Sequence, residues 1–435
     1  MSLIGEEADP PPGFCAAPWI EGVLSQDHRL RTCCRNSTVF GDWFQNGLAV
    51  CWQSTEFQLF REKISAGVFP DEECRRCYAN GTASGLSKLA RPFDSAAVVL
   101  LKVLPVKIDL FQRMKKIIGL MPQGEQNKEV LRSYFMELSR FIVWIDKKGD
   151  VPFMVKQAVQ KLFQIGRIAT AFLAGDSRPA VVASFRQVNL IAVCNARCIQ
   201  CPGLYTGTII NGGMMSDEEI ARAFSCPDHM VDFFMNGTEL LFYPDWKNIA
   251  AILNTHGVKF SLSTNGILLT EENIRYLIDN EVIHNLNISI DGATEATVES
   301  IRVNVNFRQL LKNIEFLFAY SHEKNYNYVA AFSFVLMKRN YQEFPRLVEL
   351  IHRLYGTSRV PAISVYCQAL ESYRTPRYQE FVQREHHSFV ARSELIAVFD
   401  ETTQLSKKTG IPVRVFYSWN IDEFVKAGYP FPPLL

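Results

Sequence analysis

The cysteines constrain this chain more than any other residue type, because nine of its eleven fall into two tight groups. Three of them, Cys194, Cys198 and Cys201, form a C-x3-C-x2-C arrangement directly after an apolar run over residues 188–193. Six more lie within the first 77 residues. Cys226 and Cys367 stand alone, and we expect them to be small buried apolar side chains. Such short spacings in a protein of the cytoplasm are typical of metal or cluster ligation rather than of disulfides.

Composition and charge exclude several classes of protein. The chain has 435 residues, of which 48% are hydrophobic and 21% charged, as in ordinary globular proteins. Its 46 basic and 45 acidic residues give a net charge of +1, which argues against a nucleic-acid partner. No uninterrupted apolar run reaches about 18 residues, and the first residues lack a basic-then-apolar signal. We therefore expect a cytoplasmic protein with no membrane partner.

The pattern along the chain predicts four parts. Residues 1–85 are rich in Cys and turn residues and form a small module, and residues 86–180 show the periodicity of a helical linker. Over residues 181–420 short apolar runs alternate with amphipathic stretches, and residues 421–435 form a tail. The predicted strands are 187–193, 230–235, 259–263, 285–290, 330–336 and 362–366. Repeated strand–helix units predict an α/β protein with a parallel sheet or barrel.

The C-x3-C-x2-C loop has the donors for an iron–sulfur cluster. Three thiolates on one loop can bind three irons of a [4Fe–4S] cube and leave the fourth iron without a protein ligand. Catalytic metal sites keep an open position of this kind for a substrate or cofactor. A structural zinc site is the alternative, but it needs a fourth ligand, and no Cys or His follows at short spacing.

Cys194, Cys198 and Cys201, with several motifs that follow them in order, make the chain resemble the radical S-adenosylmethionine (radical SAM) superfamily. The motifs are Asn236-Gly237-Thr238-Glu239, Ser263-Thr264-Asn265-Gly266, Ser289-Ile290-Asp291-Gly292, Arg302 and the segment 334–340. The resemblance implies a partial (β/α)6 TIM-type barrel, a [4Fe–4S] cluster on the three cysteines, and S-adenosylmethionine as cofactor. It also implies that Glu239 holds the amino group of the cofactor's methionine and that Arg302 lies near its carboxylate. The implied cofactor-binding residues are Gly237, Glu239, Ser263, Asn265, Ser289, Asp291, Arg302 and Leu336.

Two positions depart from the family's pattern. Relatives usually carry an aromatic residue just before the third cysteine, where this chain has Gln200. Their Gly-Gly-Glu-Pro pattern is Gly237-Thr238-Glu239-Leu240 here. Both changes concern contacts with the cofactor and leave the three cluster ligands in place.

The N-terminal cysteines resemble the auxiliary cluster module called SPASM, or its shorter twitch form. The resemblance is carried by Cys15-x2-Pro18-Trp19, the Cys33-Cys34 pair and the Cys74-x2-Cys77 motif. It implies a second [4Fe–4S] cluster on Cys15, Cys33, Cys74 and Cys77, with Cys34 and Cys51 as possible further ligands. A zinc ribbon is the alternative for such a set. In relatives this module normally follows the barrel, whereas here it precedes it.

The resemblance also implies a reaction. The cluster gives an electron to bound S-adenosylmethionine, and the resulting 5′-deoxyadenosyl radical abstracts a hydrogen atom from the substrate. An auxiliary cluster suits an oxidative outcome, so we expect oxidative modification of a peptide or protein side chain, with an electron donor such as flavodoxin or ferredoxin. The alternatives are dehydrogenation of a small alcohol- or sugar-type metabolite and a non-catalytic cluster- or zinc-binding scaffold. Methyl transfer is disfavoured because no separate cobalamin-binding domain is evident. The sequence identifies neither a catalytic acid or base nor the reacting carbon.

Overall fold

The computed structural model describes residues 10–33, 36–79, 83, 85–103, 112, 114–115, 125–148, 153–235, 238–255, 258–356, 360–370, 376–415 and 419–420. These residues form two compact units. The first unit comprises residues up to Asn189 together with Met215–Phe234 and Ile252–Val258. The second unit comprises Leu190–Met214, Met235–Ala251 and the chain from Lys259 onward.

Helices occur along the whole described chain. In chain order they are α1 (Ala17–Ile20), α2 (Leu48–Trp52), α3 (Thr55–Ser65), α4 (Glu72–Ala79), α5 (Ala90–Val103), α6 (Glu125–Lys148), α7 (Phe153–Leu173), α8 (Pro202–Thr206), α9 (Thr208–Asn211), α10 (Asp217–Ala223), α11 (Trp246–Thr255), α12 (Glu271–Asp279), α13 (Glu295–Ile301), α14 (Phe307–Lys324), α15 (Phe344–Tyr355), α16 (Pro376–Glu385) and α17 (Arg392–Thr409). Short 3-10 helices span Leu86–Leu89, Pro227–His229, Leu240–Phe242, Tyr341–Glu343 and His387–Phe389. In the described ranges no helix is long and apolar enough to cross a membrane.

Strands alternate with these helices. They are β1 (Glu21–Leu24), β2 (Leu30–Arg31), β3 (Phe185–Val188), β4 (Arg197–Cys198), β5 (Asp232–Met235), β6 (Phe260–Thr264), β7 (Ile283–Ser289), β8 (Arg302–Val303), β9 (Val329–Leu336), β10 (Ala362–Ala369), β11 (Val413–Val415) and β12 (Trp419–Asn420). Each of the six predicted strands overlaps one of β3, β5, β6, β7, β9 and β10.

The second unit is built on parallel strands. β6, β7, β9, β10 and β11 lie side by side in that order, and β12 pairs antiparallel with β11. Phe260, Leu286 and Phe332 on these strands are fully buried, as expected where helices cover both faces of a parallel sheet. The helices between the strands start at side-chain caps: Thr270 accepts a hydrogen bond at the start of α12, and Thr294 does so at α13. The predicted α/β class is confirmed, and the parallel sheet is consistent with a partial TIM-type barrel.

In the first unit the N-terminal module is joined to the start of the predicted barrel. β1 pairs parallel with β3, from Glu21 opposite Phe185 to Leu24 opposite Val188, and β2 pairs antiparallel with β1. The module's helix α3 contributes Arg61, which is fully buried and donates hydrogen bonds to the carbonyl oxygens of Trp52 and Ser177, each at 2.9 Å. These contacts hold the short segments of the module around α3. A strand in this module, β1, is a feature that the Cys-rich sequence does not predict.

Candidate functional site: a three-cysteine loop and a four-cysteine cavity

A short ladder and a turn hold the central cysteine loop. Cys198 lies in β4, opposite Arg302 of β8, in an antiparallel pair. The backbone N–H of Cys201 donates to the carbonyl oxygen of Cys198 at 3.0 Å. The ladder therefore fixes the second cysteine of the motif, and the turn fixes the third beside it.

The three thiols of this loop influence one another. Burial raises the pKa of the Cys198 thiol to about 11, and the negative charges of Asp291, Cys201 and Cys194 add to this rise while Arg302 opposes it. Burial likewise raises the pKa of Cys194, with Glu239 and Cys201 adding to the rise. All three cysteines belong to one short loop, in which the backbone N–H of Ala196 also donates to Cys194 Sγ at 3.4 Å. Three neighbouring thiols are the donor set that a [4Fe–4S] cluster with one open iron requires.

A single ion would need a different arrangement. Among the residues that the structure describes, no three His, Cys, Asp or Glu side chains are placed to hold one metal ion. A cube of four irons and four sulfides binds each thiolate at a different iron, so its ligands need not converge on one point. A missing single-ion site among the described residues therefore does not argue against a cluster on either cysteine set.

Glu239 is a fully buried carboxyl group between two strand ends. Its Oε1 accepts from Thr264 Oγ1 and its Oε2 from the backbone N–H of Asn265, both at 2.8 Å. Burial raises its pKa to about 7, although these hydrogen bonds and Arg302 oppose the rise. Asn265 also donates from Nδ2 to Asn195 Oδ1 at 2.7 Å, next to Cys194. Glu239 thus lies beside the cysteine loop, where a ligand ammonium would stabilise its charged form.

Asp291 and Arg302 form a buried ion pair at the second cysteine. Arg302 Nη2 lies 2.7 Å from Asp291 Oδ2, and Arg302 Nη1 donates to Cys198 Sγ at 3.6 Å. The backbone N–H of Val335 donates to Asp291 Oδ1 at 2.7 Å. Burial acts to lower the pKa of Arg302, but Asp291 and Cys198 outweigh it and raise the pKa. The structure therefore pairs Arg302 with Asp291 and with the Cys198 sulfur, and its expected contact with a cofactor carboxylate stays a prediction.

Gln200 occupies the position where relatives carry an aromatic residue. It is buried, and its Nε2 donates to Asp291 Oδ2. Tyr378 of α16 donates from its hydroxyl to the carbonyl oxygen of Gln200, and Tyr205 of α8 does the same for Ile199, both at 2.9 Å. Two tyrosines therefore hold the backbone between the second and third cysteines. Neither tyrosine can be predicted from the sequence, because nothing in its local sequence points to the loop.

Buried polar atoms on the cysteine loop, on β7 and on Arg302 have no hydrogen-bond partner among the described residues. They are Gln200 Oε1, Asn287 Oδ1 and Arg302 Nε. Buried polar groups in native proteins are almost always paired, so these atoms are available to a polar ligand. This availability fits a cofactor such as S-adenosylmethionine, which carries ammonium, carboxylate and hydroxyl groups.

The other predicted cofactor-binding residues lie at strand ends. Ser263 and Ser289 are near the carboxyl ends of β6 and β7, where Asn287 Nδ2 donates to Ser263 Oγ at 3.4 Å and Ser333 Oγ to Ser289 Oγ at 3.3 Å. Leu336 ends β9 and is fully buried. This edge of parallel strands is where α/β proteins place their sites. Gly237 lies outside the described residues.

The N-terminal cysteines surround one cavity in the first unit. Cys15, Cys33, Cys74 and Cys77 all line a cavity of about 310 Å³, together with Phe14, Asn36 and Lys88 among others. Burial raises the pKa of the Cys74 thiol far above its ordinary value, with Asp71, Cys15 and Cys33 adding to the rise. Four cysteines around one cavity fit the predicted ligand set of a fully ligated cluster.

The two remaining cysteines of this module differ from those four. Cys51 is buried elsewhere, where a Cβ on Gly41 would meet its sulfur at 2.9 Å, and it does not line the cavity. Cys34 lies outside the described residues. The structure thus separates Cys51 from the predicted ligands.

The fold and the site define an α/β protein with a three-cysteine loop at the carboxyl edge of parallel strands. Residues 188–351 match the model of the Radical SAM superfamily. The chain therefore carries a radical SAM domain over these residues.

Relatives match part of the chain. An AdoMet-dependent heme synthase of Methanosarcina barkeri is 29% identical over 175 residues, which cover 38% of this chain and 46% of the relative. The mycofactocin maturase MftC of Mycobacterium tuberculosis is 25% identical over 173 residues, covering 39% and 42%. The chain thus spans less than half the length of these curated relatives. A crystal structure of Streptococcus suis SuiB bound to precursor peptide SuiA aligns with 11% identity and a TM-score of 0.43, covering 58% of this chain and 54% of that chain.

Proposed function

We propose that this protein is a radical SAM enzyme that cleaves S-adenosylmethionine reductively and oxidises a side chain of a peptide or protein. The observation that carries the proposal is the loop of three neighbouring thiols with the buried groups Glu239, Asp291 and Arg302 beside it. A [4Fe–4S] cluster would be held by Cys194, Cys198 and Cys201, and it would supply the electron for reductive cleavage of S-adenosylmethionine to methionine and a hydrogen-abstracting 5′-deoxyadenosyl radical. Glu239 would accept hydrogen bonds from the ammonium group of the cofactor. The other polar groups of the cofactor can use Gln200 Oε1 as a hydrogen-bond acceptor and Arg302 Nε as a hydrogen-bond donor.

The oxidation is balanced by a second cluster. The substrate loses a hydrogen atom to the radical, which leaves as 5′-deoxyadenosine, and then loses a proton and one more electron. We propose that Cys15, Cys33, Cys74 and Cys77 in the module of residues 1–85 would hold a [4Fe–4S] cluster, which would serve as the acceptor of this electron. These four thiols surround one cavity, which supports the assignment. An electron carrier such as flavodoxin or ferredoxin reduces the cluster on the central loop.

Two observations favour a peptide or protein substrate. A relative that matches the domain is named a maturase. Helix α6 exposes Met136 and Val143, whose side chains are 54% and 51% accessible and lie seven residues apart on one helix face. Oxidation of a small metabolite is the second candidate, because another relative is named a heme synthase.

The proposal is tested by 5′-deoxyadenosine release and iron content. The reconstituted protein should release 5′-deoxyadenosine from S-adenosylmethionine under a strong reductant, and a Cys194→Ala/Cys198→Ala/Cys201→Ala variant should not. Iron should fall from about eight to about four atoms per chain in this variant. Zinc in place of iron, or no 5′-deoxyadenosine from the iron-loaded protein, would show a binding scaffold instead. Screening peptide and small-alcohol substrates for a stimulated rate then separates the two substrate classes.

A further inference from the structure

One cysteine of the N-terminal cavity receives a side-chain hydrogen bond. Asn36 is 4% exposed, and its Nδ2 donates to Cys74 Sγ at 3.6 Å and to Asp71 Oδ2 at 2.7 Å. Its Oδ1 accepts from the backbone N–H of Thr38 at 2.8 Å. Because an amide nitrogen carries two hydrogens and the oxygen is already paired, these partners fix which end of the amide faces the sulfur.

Asp71 holds this amide and is itself fixed beside the same cysteine. Its Oδ1 accepts from the backbone N–H of Cys74 at 2.8 Å, at the start of helix α4. Its Oδ2 accepts from Asn36 and, at 2.9 Å, from Thr38 Oγ1. The carboxylate therefore has several donors, and its charge lies next to a cluster-ligating sulfur.

We propose that Asn36 and Asp71 set the reduction potential of the N-terminal cluster with opposite signs, both acting on Cys74. The inference rests on the cluster proposed above for Cys15, Cys33, Cys74 and Cys77. Reduction adds negative charge to a cluster, and much of that charge lies on its sulfurs. A hydrogen-bond donor to a ligating sulfur stabilises the reduced form, and a nearby carboxylate destabilises it. Asn36 raises the potential and Asp71 lowers it, so the pair determines how readily the cluster accepts the substrate's electron.

The test uses the full chain with only the N-terminal cluster present. In the Cys194→Ala/Cys198→Ala/Cys201→Ala background, the potential of the remaining cluster is measured by redox titration followed by electron paramagnetic resonance. Asn36→Ala should shift the potential to more negative values, and Asp71→Asn should shift it to more positive values. Thr38→Ala is the matched control, because it removes a neutral bond to the same carboxylate and touches no sulfur, so the potential should stay near that of the background.

Second variants guard against loss of the fold. Asp71→Ser keeps a side chain that can cap α4 but removes the charge, and it should shift the potential in the same direction as Asp71→Asn. Asn36→Ser shortens the donor and should act like Asn36→Ala. If Asn36 and Asp71 had only a structural role, the reduction potential would shift in the same direction in all variants, or the variants would lose iron.

The outcomes separate the inference from the function on which it rests. About four irons per chain, with potential shifts of opposite sign in the Asn36 and Asp71 variants, support both the cluster and the role of these two residues. About four irons with unchanged potentials, or with shifts of one sign, overturn the role of Asn36 and Asp71 and leave the cluster standing. A background variant without iron overturns the cluster, and the inference with it.

Discussion

Arg302 and Asp291 face each other 2.7 Å apart, with side chains that are 8% and 0% exposed. A buried ion pair adds little stability compared with an apolar pair, but removing one partner leaves an uncompensated charge. Arg302 also donates to the Cys198 sulfur, so the pair lies against the cysteine loop. Its energetics can be measured without any cofactor.

Arg302→Leu should therefore destabilise the apoprotein by about 3–5 kcal/mol, because Asp291 stays buried without its cation. The double variant Asp291→Asn/Arg302→Leu should recover much of this loss, since no buried charge remains. Urea denaturation gives both values. Arg308→Leu is the control: its pair with Glu295 is 3.1 Å long and exposed, and its loss should cost less than about 1 kcal/mol. Equal effects of Arg302→Leu and Arg308→Leu would contradict the prediction.

Glu239 should make the apoprotein less stable as pH rises. Its pKa is raised from 4.5 to about 7 in the fold by burial, so the unfolded chain ionises at a lower pH than the folded one. Protonated Glu239 contributes roughly 3 kcal/mol to the free energy of unfolding below pH 4.5. This contribution is lost as the pH rises from 4.5 to about 7, and above that pH the loss is complete.

Glu239→Gln should remove this pH dependence. The free energy of unfolding of the variant, relative to wild type, should rise by roughly 3 kcal/mol between pH 4.5 and pH 8. Denaturation series at several pH values measure it, with the exposed Glu401→Gln as control. A difference that stays constant over this range would contradict a raised pKa for Glu239.

The sequence predicted the site in part. The three central cysteines and Glu239 follow from motif spacing, and the structure brings them together. Tyr378 could not be predicted in this way, because it lies 178 residues from Gln200 along the chain and its hydrogen bond exists only in the folded protein. The pairing of Arg302 with Asp291 likewise depends on the β4–β8 ladder, whose strands have two residues each. Segments this short have no periodicity to detect.

Helix α16 holds the cysteine loop through one tyrosine. Its Tyr378 is fully buried among Ile301, Met337 and Phe381, and its hydroxyl is bonded to the carbonyl oxygen of Gln200. The apolar contacts place the helix, and the one polar bond holds the loop. Removing the hydroxyl alone therefore separates these two contributions.

Tyr378→Phe should loosen the loop without displacing the helix. Loss of one hydrogen bond costs about 1 kcal/mol, which makes opening of the loop roughly fivefold more frequent. In a Cys74→Ala/Cys77→Ala background, release of the loop's iron to a chelator should accelerate by about that factor. Tyr341→Phe is the control, since its hydroxyl bonds Glu394 at an exposed position. An unchanged rate in Tyr378→Phe would show that the hydroxyl does not hold the loop.

Among the elements, strands β3, β5, β6, β7, β9 and β10 were predicted, whereas β1 and the strands of two or three residues were not. β9 and β10 pair over eight residues each, and their apolar runs are visible in the sequence. β1 has four residues, all buried, and its partner β3 lies more than 160 residues away. A short strand that is buried on both faces shows no alternation of apolar and polar residues. The Trp and Cys residues around β1 are typical of a module made of turns, so they do not indicate a strand. Only the folded protein shows that β1 pairs parallel with β3.

The molecule as a whole carries two sets of cysteines, and each lies within one compact unit. Cys15, Cys33, Cys74 and Cys77 belong to the first unit, and Cys194, Cys198 and Cys201 to the second. The hydrogen bonds described for each set come from residues of the same unit. Each site can therefore be removed by substitutions within its own unit.

This division predicts that cofactor cleavage and substrate oxidation can be uncoupled. A variant with Cys15, Cys33, Cys74 and Cys77 all replaced by Ala should keep about four irons and release 5′-deoxyadenosine within about twofold of wild type, because the loop of the second unit is intact. It should yield little oxidised substrate, since the substrate radical has no acceptor for its second electron. The ratio of 5′-deoxyadenosine to oxidised product, measured by chromatography, should thus rise from near one to well above it. The matched control is Cys51→Ala, which removes a cysteine of the same module outside the cavity and should leave the ratio unchanged. A quadruple variant that holds its four irons but no longer releases 5′-deoxyadenosine would mean that the N-terminal cysteines serve cleavage itself, and their proposed role as electron acceptor would be lost.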